Sequence, residues 1–89
     1  MRFKVEGENR AAGTGTGTSS SIEDASEVRW HVNAATGTYY TITVTNSADA
    51  TIGSLRVNVA TEGILVKSPS DKIYASNAAV LLSPVNTRV

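Results

Sequence analysis

The chain has no cysteine, a single histidine, and few aromatic residues: one Phe, one Trp and three Tyr among 89 residues. A disulfide framework and a thiolate metal site are thereby excluded. No charge of one sign dominates, since eight basic residues balance eight acidic ones. Without a stripe of Lys and Arg to neutralise phosphates, nucleic-acid binding is not expected. No stretch approaches the roughly 20 consecutive apolar residues of a membrane-spanning helix. Met1-Arg2-Phe3-Lys4-Val5 holds no apolar signal core, so synthesis and folding in the cytoplasm, without a membrane partner, are expected. Nor does any run place apolar residues at helical spacing. That removes the βαβ unit and its phosphate-binding turn.

What the chain does have is a period of two. In Tyr39-Tyr40-Thr41-Ile42-Thr43-Val44-Thr45, Tyr40, Ile42 and Val44 point one way and the threonines the other. Val28-Arg29-Trp30-His31-Val32 and Leu55-Arg56-Val57-Asn58-Val59 repeat the pattern. Strands are predicted at 2–6, 27–33, 38–45, 53–60, 63–67, 72–76 and 79–83. The expected fold is all-β: one small antiparallel sandwich or barrel of about seven short strands, immunoglobulin-like or jelly-roll-like. Its core is predicted from Val28, Trp30, Val32, Tyr40, Ile42, Val44, Leu55, Val57 and Val59. A core this thin favours oligomerisation as a source of further stability.

The connections carry turn chemistry. Ala34-Ala35-Thr36-Gly37 and Asn46-Ser47-Ala48-Asp49 are predicted to close hairpins, and Glu62-Gly63 to make a tight reversal. Ser68-Pro69-Ser70-Asp71 reads as a type I turn. Ser21 followed by Asp24 resembles a capping box and predicts one helical turn over 21–26. Residues 7–21 carry Gly13, Gly15 and Gly17 with no bulky side chain beside them. This segment is predicted to be a flexible loop or arm, one that orders against another subunit if at all. It lacks the Gly-Lys-Ser/Thr ending of a phosphate loop.

No catalytic, cofactor-binding or metal-binding residue is predicted, and no cofactor is expected. His31 has no carboxylate pair near it in sequence with which to build a zinc site or a triad. Glu23, Asp24 and Glu27 form the densest acidic group, but the spacing of a calcium loop is absent. Tyr39 falls among threonines on the outward face, where it could stack on a sugar or enter a protein interface. Thr14, Thr16, Thr18 and Tyr39 are the candidate interface residues.

The segment Glu62-Gly63-Ile64-Leu65-Val66-Lys67-Ser68-Pro69-Ser70-Asp71-Lys72-Ile73-Tyr74-Ala75-Ser76-Asn77-Ala78-Ala79-Val80 resembles a pattern in small β-rich virion proteins of tailed bacteriophages. There, an apolar strand, Lys, a small residue, Pro, a small residue and Asp lead into a strand ending in Ala-Ser. The resemblance implies a non-enzymatic structural protein of the virion, either a capsid decoration or cement protein or a minor head protein. Its partners would be copies of itself and major capsid or other virion proteins, in a symmetric assembly. The alternative class is a carbohydrate-binding or adhesion β-sandwich module.

Overall fold

The computed structural model describes residues 2–88. It holds eight strands: β1 (Lys4–Val5), β2 (Arg10–Ala11), β3 (Glu27–Val32), β4 (Tyr39–Thr45), β5 (Thr51–Asn58), β6 (Gly63–Val66), β7 (Lys72–Ala75) and β8 (Val80–Asn86). The only helical element among the described residues is a 3₁₀ turn at Thr16–Thr18, so no helix is long and apolar enough to cross a membrane. Every strand pair is antiparallel. One sheet runs β1-β8-β3-β6, with β2 pairing the same edge of β8 further along; the other runs β5-β4-β7. The chain is an all-β sandwich.

The alternation read from the sequence points into the space between the sheets. Val28, Val32, Ile42 and Val57 are fully buried there, with Trp30, Tyr40, Val44 and Leu55 packed against them. Val59 is not among them. It lies beyond β5, in the turn that crosses to the other sheet. The rest of the core comes from residues outside the predicted set: Ala12, Ile22, Ile73, Ala75, Val80 and Leu82.

Four local expectations are corrected. Residues 34–37 do not close a hairpin, because β3 and β4 lie in different sheets; Gly37, at φ +89°, turns the chain across the sandwich. The reversal before β6 falls at Asn58–Thr61, where the Thr61 amide donates to the Asn58 carbonyl, and Gly63 already belongs to β6. The 21–26 turn is left-handed: Ile22, Glu23 and Asp24 have φ of 52°, 57° and 58°. The Ser21 side chain still accepts from the Asp24 amide, at 3.2 Å, and the turn places the Ile22 side chain in the core. Finally, β8 continues through Pro84 to Asn86. Pro84 turns its backbone toward the short edge strand β1, where its carbonyl accepts the Glu6 amide and its missing N–H ends the ladder.

The Asn46–Asp49 hairpin is present, with the Asn46 side chain accepting from the Ala48 and Ala50 amides. So is the 68–71 turn, closed by the Asp71 amide on the Ser68 carbonyl.

Candidate interface

A sheet edge carries unpaired backbone donors and acceptors, and proteins commonly blunt such edges. Three of the four lateral edges here are blunted by identifiable means. The edge of β8 is lined by β1 and β2, each only two residues long. The edge of β7 is covered by the glycine-rich segment. The Ala75 amide donates to the Gly13 carbonyl, and Ser20 and Ile73 exchange backbone hydrogen bonds at 3.1 and 2.8 Å. The 7–21 segment thus runs from one sheet to the other and closes that flank of the sandwich, with Ala12 buried beneath it. In this structure it is held at both ends and does not extend from the body as an arm.

The edge of β5 is blunted differently. A bulge between Val44 and Thr45 leaves Ile52 without an opposite residue. At the other end, the Asn58 amide donates to Thr61 Oγ1, and the Asn58 carbonyl accepts the Thr61 amide.

β6 has none of these devices. Its four residues, Gly63-Ile64-Leu65-Val66, contain no charge, proline or bulge, and Val66 is 78% exposed. The Lys67 amide donates to the Ser26 carbonyl, so 67, 65 and 63 turn their backbone groups toward β3. The N–H and C=O of Ile64 and Val66 therefore point outward. The link from β5 to β6 is only four residues, 59–62, which keeps both of these edges on the flank opposite the glycine-rich segment.

The four candidate residues do not converge. Thr14, Thr16 and Thr18 are exposed in the loop that projects beyond β7, where Thr18 Oγ1 accepts from the Thr14 amide. Tyr39 starts β4, the central strand of the β5-β4-β7 sheet, opposite Asn58 of β5. Its ring is 52% exposed, but the Arg56 guanidinium sits 4.8 Å from its centroid and covers one face.

The polar groups gather on the outer face of the larger sheet. Glu62 Oε2 accepts from Arg29 at 2.8 Å and lies 3.3 Å from His31 Nδ1. The carboxylate that sequence spacing did not offer His31 is therefore supplied from the β5–β6 turn. The described residues hold no His, Cys, Asp and Glu cluster suited to a metal ion.

Glu23, Asp24 and Glu27 do share a site, an open cleft of about 390 Å³ completed by Glu6, Pro84 and Arg88. Glu23 is paired with Arg10 at 3.0 Å, and Glu27 accepts from the Thr87 hydroxyl and the Thr87 amide. These last two bonds, with Arg88 nearby, hold the Glu27 carboxyl below its ordinary value. Glu27 thus ties the C-terminal segment to the start of β3, and Glu23 ties Arg10 to the left-handed turn. The buried Lys67 ammonium, donating to the Ser68 and Pro69 carbonyls, has its pKa lowered by desolvation, with Asp71 and Asp24 opposing.

In comparison with known proteins, the chain matches no family model, no curated protein and no solved structure.

Proposed function

We propose that this chain is a non-enzymatic structural component of a larger assembly, a tailed-bacteriophage virion, where it serves as a capsid decoration or cement protein or a minor head protein. The observation that carries the reading is the asymmetry of the sandwich: one flank is closed by residues 7–21, and the other leaves an apolar strand edge open. Open strand edges are a common route to joining a neighbouring chain. The viral setting comes from the resemblance of residues 62–80, and neutral charge is compatible with close packing of many copies. Partners would be copies of the chain itself and other virion proteins, met after synthesis in the host cytoplasm.

The carbohydrate-binding alternative depends on Tyr39 as a stacking platform, and Arg56 already occupies one face of that ring. Two measurements separate the readings. Cryo-electron microscopy of the native particle is expected to show the chain in symmetric copies on the shell or at the head. Absence from the particle, together with binding of one defined sugar on a glycan array, would replace this reading with the carbohydrate module.

A further inference from the structure

We propose that the open edge of β6 pairs with β6 of a second copy, antiparallel about a two-fold axis through Leu65, continuing the larger sheet from one copy into the next. The inference deepens the assembly reading above and rests on it for its biological setting.

Ile64 and Val66 are the residues of β6 whose N–H and C=O groups point away from β3. In an antiparallel ladder, outward-pointing residues exchange both hydrogen bonds when they lie opposite one another. A two-fold axis at Leu65 sets Ile64 against Val66 of the other copy, and Val66 against its Ile64. All the free backbone groups of both residues are then satisfied in four hydrogen bonds. An isologous contact of this kind closes at two copies.

The side chains agree with that register. Ile64 and Val66 are β-branched and stand on the outer face, where each would cover the other across the seam. Val66 would lose much of its 78% exposure. Leu65, only partly buried against the core, would meet Leu65 of the second copy on the inner face and join the two cores. No like charges oppose one another: Glu62 would face Ser68 and Gly63 would face Lys67. The formal net charge of each copy is zero, so no general repulsion resists the approach.

Light scattering on the purified full chain, read after size exclusion over a range of concentrations, tests the pairing. A dimer is expected, and Val66→Lys should weaken it at least tenfold without altering the circular dichroism spectrum, since that side chain is largely exposed. Ser54→Lys, on the β5 edge, should leave the dimer unchanged. Because the chain has no cysteine, disulfide trapping is free of background. Ile64→Cys mixed with Val66→Cys should cross-link under mild oxidation, as residues in such a pair stand about 5.5 Å apart, within reach of a disulfide. Either variant alone should cross-link far more slowly. A protein that remains monomeric at high concentration overturns the pairing, as does a dimer untouched by Val66→Lys or equal cross-linking of the single variants. A particle that carries the chain as separate monomers would overturn it too and leave the structural role standing. A β6-paired dimer found in no particle would do the reverse.

Discussion

Gly63 lies directly opposite Trp30 in the β3–β6 ladder, and the indole fills the space a side chain at 63 would need: a Cβ there would stand 2.9 Å from Trp30 Cη2. The pair is a lock between the open edge strand and the core. Gly63→Ala should destabilise the fold by about 1–3 kcal/mol through overpacking. Trp30→Ala should cost about 3 kcal/mol, the lower end of the range for a large aromatic because the ring is only partly buried. In urea denaturation the two changes should be strongly non-additive, with Gly63→Ala costing little once the indole is gone. Additive costs would show that the indole is not what the new methyl group meets.

The left-handed turn inverts an ordinary rule. At an unstrained position, alanine is more stable than glycine by about 0.5–1 kcal/mol. At Glu23, with φ of 57°, a residue bearing Cβ carries a penalty of about 1–2 kcal/mol that glycine escapes. Both replacements remove the ion pair with Arg10 equally, so their difference isolates the backbone. Glu23→Gly should therefore be the more stable variant by about 1 kcal/mol, read as a higher denaturation midpoint. Alanine coming out ahead would mean the turn is not left-handed in solution.

Acid stability should depend on the Glu27–Thr87 contact. A carboxyl whose folded pKa is depressed contributes stability that is fully present above its unfolded value and lost as the pH falls toward the folded one. Thr87→Val removes the hydroxyl donor, so the Glu27 carboxyl should titrate closer to its ordinary value in a carbon-13 NMR titration. The loss of stability on acidification should become shallower over the same range. An unchanged Glu27 midpoint would show that the C-terminal segment does not hold the carboxylate in solution. Lys67 moves stability in the same direction with pH, through a cost rather than a contribution. Its folded pKa is lowered, so the cost of its buried charge is present at neutral pH and lifts as the pH rises past the folded value.

Amide hydrogen exchange should divide the glycine-rich segment in two. Ala12 and Ser20 donate to Val80 and Ile73, and should be protected along with Ile73 and Ala75, whose amides donate to Ser20 and Gly13. Gly17, exposed in the 3₁₀ turn, should exchange fast. A Cβ at Gly13 would come within 2.7 Å of the Thr18 carbonyl carbon. Gly13→Val should consequently lift the segment, remove protection at Ala75 and make the newly open β7 edge prone to self-association. Uniformly fast exchange from 12 to 20 in the unaltered protein would show that the segment does not cover the edge.

Much of the sandwich was legible because burial on one face leaves a two-residue rhythm. That rhythm located β3 through β7 to within one or two residues, the β5 start set two residues late. It failed where other signals were stronger. Pro84 reads as a strand terminator, yet β8 continues, because the missing donor falls on the side of the short edge strand β1, where the Pro84 carbonyl still accepts the Glu6 amide. Ile22 and Ile73 fill the core, but Ile22 stands in a turn with no rhythm at all. The candidate interface was harder still. Tyr39 was legible as exposed, whereas its capping by Arg56 depends on the β4–β5 register. The apolar run 64–66 was visible as a strand, but nothing in its composition distinguishes a central strand from an edge.

By itself, then, the amino-acid sequence determined the all-β class, the positions of most strands, the hairpin at Asn46 and the turn at Pro69, because these depend on neighbours a few residues apart. Only the tertiary structure decided which strands share a sheet, that Glu62 reaches His31, that the glycine-rich segment covers β7, and that β6 is left open. Each of these depends on which distant backbone groups satisfy one another. That pairing is settled by the packing of two sheets around a common core, and no local stretch of the chain encodes it.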